Sequence, residues 1–476
     1  MAELTARLIA GVPTLPALIQ DRLVQALPGP LFSLILDRLL YLGKPLFFGG
    51  LLLFQLLLGG LVGLIIARWH RPIEILAVLW VLTGAVVLPL AGRPAFAASA
   101  GFAVASLLAF AIFGLVLEAL LRPVWGRGQP SSDAARSDPG MARRQVLTGI
   151  VLFVTSAILA RRTIGNLPTL PALGGSSGSE GGPAPGLPAE ISPPNDFYLV
   201  SKNIDDPQVK VDGWRLQVDG LVDRPLTLTY AEVLAMPAKD VTRTLECISN
   251  EVGGDLISNG QWTGVQLSEV FARAGVHEDA QVLHFTSVDG YTENMTIRKA
   301  MDANTLLVYK LDGQPLPNKH GFPLRVLGAG TYGMKNPKWL TRIELGAKAS
   351  QGFWEQQGWN PDAAVQTMSR IDTPSVGSVP AGNVMFNGLA FAGDRGIQRV
   401  ELSTDGGRTW QNAHLLPAAG PLTWTFWQSA AKLATGRYTV QVRATDGSGR
   451  LQTAQQADPF PAGATGYHTI QILVYG

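Results

Sequence analysis

The sequence predicts a chain in three parts: an N-terminal α-helical membrane region, a mixed α+β domain, and a C-terminal all-β, immunoglobulin-like sandwich. Three observations predict it. Residues 1–165 are dominated by Leu, Ala, Gly, Val and Phe, in uncharged runs long enough to cross about 30 Å of hydrocarbon. Beyond about residue 195 the composition is that of an ordinary globular protein, with strand-like alternation broken by short helical stretches. From about Val365 short alternating strands are separated by Asp-Gly turns, as at Asp405-Gly406 and Asp446-Gly447, which is a sandwich pattern. The expected domains are an amphipathic segment at 1–44, membrane helices within 45–164, a linker at 165–194, the α+β domain at 195–360 and the sandwich at 361–476.

Residues 1–44 mix apolar runs with Arg7, Asp21, Arg22, Asp37 and Arg38 and four prolines, so interfacial amphipathic helices fit better than a clean span. Uncharged stretches then predict helices at about 45–67, 73–91 and 95–118, and a shorter one at 145–160 between Arg143-Arg144 and Arg161-Arg162. Arg143-Arg144-Gln145-Val146-Leu147 resembles a twin-arginine export signal; a basic stop flanking a membrane helix is an equal reading. Arginines concentrate in the loop between the third and fourth helices, whereas the loop between the second and third has only Arg93. That asymmetry places the longer loop in the cytoplasm and everything after residue 165 on the extracytoplasmic side, periplasmic or at the cell surface. Residues 165–194, rich in Gly, Pro and Ser, predict a tether without a core of its own.

A formal net charge of +2 gives no global basic field, which argues against a nucleic-acid partner. In the soluble part, Val241–Leu245 reads as a strand, Leu267–Ala274 as a helix ending at Gly275, and Val282–Phe285 and Leu324–Leu327 as strands. Gly328-Ala329-Gly330-Thr331-Tyr332-Gly333 fits GxGxxG, but Asn336-Pro337 interrupts any helix within one turn, and a dinucleotide site needs that helix.

The chain has one cysteine, Cys247, so it makes no intramolecular disulfide. A lone Cys is most often a small buried hydrophobe. Here it stands where a strand gives way to a Ser/Asn/Gly-rich turn (Ser249, Asn250, Gly253, Gly254), from which a thiol can reach a ligand. Zinc would need further Cys or His ligands nearby, and a nucleophilic thiolate would need a His with an orienting group; His284 and His320 are candidates, without a protease-like signature around Cys247. A thiolate also suits a soft or high-valent metal.

Several motifs, in order over about residues 190–476, resemble the sulfite oxidase-type molybdenum oxidoreductases. They are "T-L-x-C-x-x-N" (Thr244, Leu245, Cys247, Asn250), "Y-x-x-(D/N)-G-x-P-L-P" (Tyr309, Asp312-Gly313, Pro315-Leu316-Pro317), "H-G-F-P-x-R" from His320, "Y-G-x-x-x-x-K-W-L-T-R-I" from Tyr332, and "V-E-x-S-x-D-G-G-x-T-W" from Val400 to Trp410. The resemblance implies a molybdopterin-binding α+β domain, a molybdenum-molybdopterin cofactor whose metal is held by Cys247, and Tyr309 as an active-site tyrosine. It implies pterin contacts from Asp289 with Ser287 beside it, from His320 and Arg325, and from Asn336, Pro337 and Lys338. Tyr198, Lys202 and Asn203 fall in a stretch similar to the family's "F-F-T-R-N-H". Such a cofactor is anionic and needs fixed cations and neutral donors.

Lys202, Ile204 and Glu251 stand where sulfite oxidases carry Arg, His and further basic residues. Loss of Arg forks argues against sulfite itself. The function implied is oxygen-atom transfer or two-electron redox on a small molecule, an S-oxide, N-oxide or oxyanion, by a membrane-anchored enzyme. The alternative is a non-enzymatic membrane-anchored binding protein with a lapsed cofactor domain and a partner-binding sandwich. With no CxxCH and no cluster cysteines, electrons require a separate partner, a cytochrome or the quinone pool. The C-terminal domain of the family often dimerises, so a homodimer is expected. His414 and His468 lack an acidic partner pattern, which makes the sandwich structural.

Overall fold

The structure, a computed structural model, describes residues 65, 68–69, 72–82, 182–203, 206–375 and 377–476. The expected segment 1–44 and the spans 95–118 and 145–160 lie outside the described residues, as does nearly all of 45–67. Within the second span, α1 (Pro72–Leu82) is described, with Glu74 in its first turn, where a carboxylate complements the helix dipole. Its 11 residues rise only about 16 Å. Among the described residues no helix is long and apolar enough to cross a membrane.

Residues 182–476 belong to one compact unit. Its first part has two sheets. β1 (Arg215–Gly220) and β2 (Leu226–Thr229) open it, followed by α2 (Tyr230–Leu234), which starts at a capping box between Thr229 and Glu232. β3 (Ala238–Glu246) and β4 (Ile257–Gln266) pair antiparallel, and α3 (Leu267–Ala274) follows β4 directly. α3 ends where Gly275 takes φ +71°, a conformation Gly adopts without strain. Then come β5 (Val282–Ser287), β6 (Thr292–Thr296), α4 (Ile297–Ala300), β7 (Leu306–Leu311), β8 (Gln314–Pro315), β9 (Arg325–Leu327) and β10 (Leu340–Gly346). One sheet runs β2-β1-β10-β5-β6, with only the β1–β10 pair parallel. The other runs β3-β4-β7-β8, with β9 added to β7.

The second sheet is buried on both faces, which is why β7 reads as the unbroken apolar run Leu306-Leu307-Val308-Tyr309. Leu307 and Tyr309 face a core shared with Leu216, Phe271, Phe285 and Ile343. Leu306 and Val308 face the opposite cluster, with Phe197, Leu245 and Trp262. The period-two alternation of a strand therefore decides which β7 side chains can approach which surface.

The remaining strands form the sandwich: β11 (Met368–Thr373), β12 (Gly377–Pro380), β13 (Gly382–Phe391), β14 (Ile397–Ser403), β15 (Gln411–Asn412), β16 (His414–Leu415), β17 (Thr425–Leu433), β18 (Gly436–Asp446) and β19 (His468–Tyr475). Sheets β11-β13-β17-β16 and β12-β19-β18-β14-β15 enclose Phe386, Val400, Leu402, Trp427, Val442 and Ile472.

A third cluster joins the two parts. Ile248 and Ile257, on either side of the Cys247 turn, pack with Leu389, Phe391, Trp424 and Phe426 of the sandwich. Leu187 lies in the same cluster, Ser192 N donates to Asn259 O, and Asn259 Nδ2 donates to Glu190 O. The expectation of a coreless tether to residue 194 is corrected here: from residue 182 the segment is packed, because its apolar and backbone groups find partners on β4 and the sandwich. At the same seam Thr244 Oγ1 accepts from Trp424 N at 2.8 Å and donates to Asn259 Oδ1 at 3.0 Å. Thr244→Val keeps the volume but leaves a buried N–H and a buried carbonyl unpartnered, and is expected to cost about 1–3 kcal/mol. Denaturant unfolding should show a lower midpoint at unchanged slope.

Candidate functional site

Cys247 leaves the end of β3 into a tight turn, its N–H donating to Leu256 O and its carbonyl accepting from Asn250 N. The Asn250 side chain closes that turn from inside: Nδ2 donates to Glu246 Oε1 at 2.9 Å and Oδ1 accepts from Leu256 N at 2.9 Å. Gly254 is required beside it, because a Cβ there would stand 2.6 Å from Asn250 Oδ1. The thiol is buried, with Ser249 Oγ 3.0 Å from Sγ. Burial pushes the adjacent Glu246 carboxyl up to about 7, and its Oε2 has no hydrogen-bond partner. Tyr198, raised by burial and then by Cys247, stays protonated.

Cys247 and Ser249 line a cleft with about 900 Å³ of empty space, its open mouth included. Of the residues singled out in the sequence, Tyr198, Lys202, Asp289, His320, Arg325, Asn336, Pro337 and Lys338 also line it. The same lining carries a set of cations and donors. Arg325 is buried, donates to His320 O and Asn336 O, and its Nε is unpartnered. The nearest ring, Trp262, is 5.4 Å away. Burial lowers this guanidinium to about 10, which leaves it charged at neutral pH. Among the described residues no carboxylate pairs with it. Lys338 Nζ donates to Val200 O and Lys319 O and lies 4.4 Å from the Trp339 ring. Lys202 Nζ donates to Asn203 Oδ1 and Asp289 O and lies 3.7 Å from Asp289 Oδ2; Asn203 Nδ2 donates to the same Asp289 oxygen. Asn203 thus supports the wall from behind. Asn336 serves the backbone, accepting from Gly328 N and donating to Tyr332 O. That pairing shapes the 328–336 loop, and among the described residues only a single 3-10 turn (Gly333–Lys335), no α-helix, follows Gly328 before β10, in keeping with the rejected dinucleotide motif.

Three expected site residues are not in the cleft wall, and Asn203, behind it, is the first of them. Ser287 is buried at the end of β5 with an unpartnered hydroxyl. Tyr309 is corrected outright. It lies on the face of its sheet opposite Phe197 and Leu245, both of which line the cleft; strand alternation points it into the core, and burial raises its hydroxyl. Conversely, Ser249, Tyr291, Met334, Trp354 and Trp359 line the cleft and were not singled out. The signal was present for the tryptophans, two indoles in a polar, glycine-containing loop.

The donor set fits one thiolate to a metal whose other ligands come from a bound organic group: among the described residues no cluster of three His, Cys, Asp or Glu could hold a metal ion. The buried guanidinium, which has no carboxylate partner among the described residues, and the cationic wall fit an anionic, hydrogen-bonding cofactor.

Comparison with known proteins agrees. Residues 203–354 match the oxidoreductase molybdopterin binding domain, and residues 362–459 the Mo-co oxidoreductase dimerisation domain. The uncharacterized oxidoreductase YuiH of Bacillus subtilis is 34% identical over 147 residues, 31% of this chain and 72% of that protein. The chain belongs to the sulfite oxidase-type molybdopterin oxidoreductase family. Mitochondrial sulfite oxidase of Rattus norvegicus is 29% identical over 309 residues, and the chain spans little more than half its length, 57%. The sulfane dehydrogenase SoxCD of Paracoccus pantotrophus shares the fold, with a TM-score of 0.53 at 24% identity over 59% of this chain and 80% of that one. Molybdopterin is therefore the cofactor of the α+β domain, and the sandwich is a dimerisation-type domain.

Within this molybdopterin domain His320 is held neutral. Burial, then the Arg325 charge, lowers it from 6.5 to about 3, and its Nε2 lies 3.0 Å from Pro194 O. A carbonyl only accepts, so Nε2 carries the proton. The unfolded chain takes up a second proton near 6.5 and the folded one only near 3, so this residue makes stability fall as pH drops below about 6.5. His320→Gln keeps a donor without the titration. Calorimetry is expected to show a shallower loss of Tm for it between about pH 7 and pH 5 than for the parent.

Proposed function

We propose that the protein is a molybdopterin-dependent oxidoreductase acting on a small S-oxide, N-oxide or oxyanion. We place its catalytic domain on the extracytoplasmic side of the cytoplasmic membrane, anchored by the apolar N-terminal segments. The observation that carries the enzymatic reading is Cys247 lining one cleft with Arg325, Lys338 and His320. Bound there, molybdopterin supplies two-electron, oxygen-atom-transfer chemistry.

The chain's residues have separable roles in this reading. Cys247 is the metal ligand, with Ser249 close enough to hydrogen-bond the sulfur and adjust its donor strength. Arg325 and Lys338 hold the cofactor's anionic groups, with His320, whose Nε2–H is taken up by Pro194 O, a neutral acceptor beside them. Lys202, Asn203 and Asp289 fix the edge where the chain first reaches the cleft. Burial keeps Tyr198 protonated beside the buried thiol. The match to a dimerisation domain supports a homodimer, and a chain with one Cys, and so no CxxCH haem attachment and no cysteine set for an iron–sulfur cluster, supports a separate cytochrome or quinone as electron partner. The arginine-rich loop before residue 145 supports the topology.

Cys247→Ser is expected to abolish turnover in a redox-dye assay. Pterin content should stay near that of the parent, and the Mo(V) resonance should change, because an alkoxide is a harder, more basic ligand than a thiolate. The fold should lose only about 1 kcal/mol. Parent activity with an unchanged resonance would make Cys247 a structural residue and remove the site. For topology, a reporter active only in the cytoplasm, fused after Gly476, should be silent; a bright signal would reverse the orientation.

A further inference from the structure

Lys335 lies between Met334 and Asn336, which line the cleft, while its own ammonium is buried 2.7 Å from Glu293 Oε1 and 2.5 Å from Glu355 Oε1. It also donates to Asn294 O. One ammonium thus joins three segments: the cofactor-facing stretch at 333–338, β6, and the loop that carries Trp354 and Trp359. Glu355 is the tie to that loop. Its Oε2 accepts from Gly352 N at 2.9 Å and from Asn294 Nδ2 at 2.8 Å, and Phe353 N donates to Thr292 O. The turn closes on itself where Trp359 N donates to Trp354 O.

The two indoles form the apolar side of the cleft. Trp359 packs in one cluster with Ile248, the residue after Cys247, and with Met334; Trp354 packs against the same cluster. Trp359 Nε1 is buried without a hydrogen-bond partner, a donor awaiting an acceptor. The cations of the cleft are already engaged: Arg325 and Lys338 reach backbone carbonyls, and Lys202 faces Asp289, 5.3 Å from the Phe353 ring. A dianion wants guanidinium forks; an indole wall suits an apolar substituent, and the oxygen of a neutral oxide needs only a single donor.

We propose that Trp354 and Trp359 set the specificity of the cleft for neutral oxides bearing an apolar substituent, and that Lys335 is the residue that positions them. This rests on the oxidoreductase reading above. Removing one member of a buried ionic group leaves the others uncompensated, so loss of Lys335 releases the tryptophan loop without touching the cofactor-facing cations.

Calorimetric titration of the full-length, cofactor-loaded protein tests it, with methyl phenyl sulfone as an unreactive neutral probe and sulfate as the dianion. The sulfone is expected to bind and sulfate not to compete with it. Trp359→Ala and Trp354→Ala should each weaken sulfone binding about tenfold or more. Lys335→Met should weaken it similarly, with molybdenum content and Mo(V) resonance unchanged, and Lys335→Arg should restore most of the affinity. Glu355→Gln, a milder change, serves if Lys335→Met fails to fold, and should weaken binding in the same direction. Sulfone affinity unchanged in the folded variants, no sulfone binding to a molybdenum-loaded parent, or sulfate binding as tightly as the sulfone would each overturn the inference alone. A parent that never takes up molybdenum would instead overturn the reading beneath it.

Discussion

Arg325 brings a positive charge into the interior with no carboxylate to answer it among the described residues, and much of the cleft is arranged around that charge. An isolated buried cation is costly. Here the cost is reduced by backbone carbonyls at His320 and Asn336 and by the face of Trp262, but Nε remains unpartnered. The same charge helps hold His320 neutral. Asn336 could not present its carbonyl to Arg325 unless its side chain held the 328–336 loop, so that loop's geometry follows from the cation as well.

Arg243 shows the contrast. It is also buried with an unpartnered Nε and backbone acceptors at Leu327 and Asn304, but Asp302 and Asp394 are near enough to raise its affinity for the proton. Lys335 goes further and is held between two carboxylates. Three interior cations thus span a range from fully neutralised, through neutralised at a distance, to open. Only the open one lines the cleft with Cys247, which is the arrangement an anionic ligand requires.

Much of this was legible in the sequence. The α3 helix and its Gly275 stop, the strand leading to Cys247 and the Val282–Phe285 strand follow from local periodicity and capping, which act over a few residues. The lining of the cleft was legible because its residues sit in short ordered motifs. Tyr309 failed for a physical reason: a motif assigns a residue to a strand but not to one of its faces, and a sheet buried on both sides offers no polar alternation to decide between them. Trp354, Trp359 and Lys335 were missed because their role depends on pairing across separations that no local pattern encodes, as with Lys335 and Glu293. The packing of residues 182–194 was hidden by a Gly/Pro-rich composition that looks like a tether whether or not it finds partners.

The sandwich follows from the same logic. A turn presenting a single thiol to a cleft must be held from behind, since a one-ångström error in the position of a reactive group matters to chemistry in a way that it does not to folding. Asn250 holds the Cys247 turn from within, but Asn250 hangs on Glu246 and Leu256, which belong to strand ends. Beyond those ends the support comes from the sandwich: Trp424 and Phe426 against Ile248 and Ile257, Thr244 on Trp424 N, and Arg370 donating to Gly254 O at 2.6 Å. The C-terminal domain contributes no residue to the cleft wall, yet it carries the rear surface of the cysteine turn. A change in the sandwich that shifts this surface would therefore reach the site through packing alone.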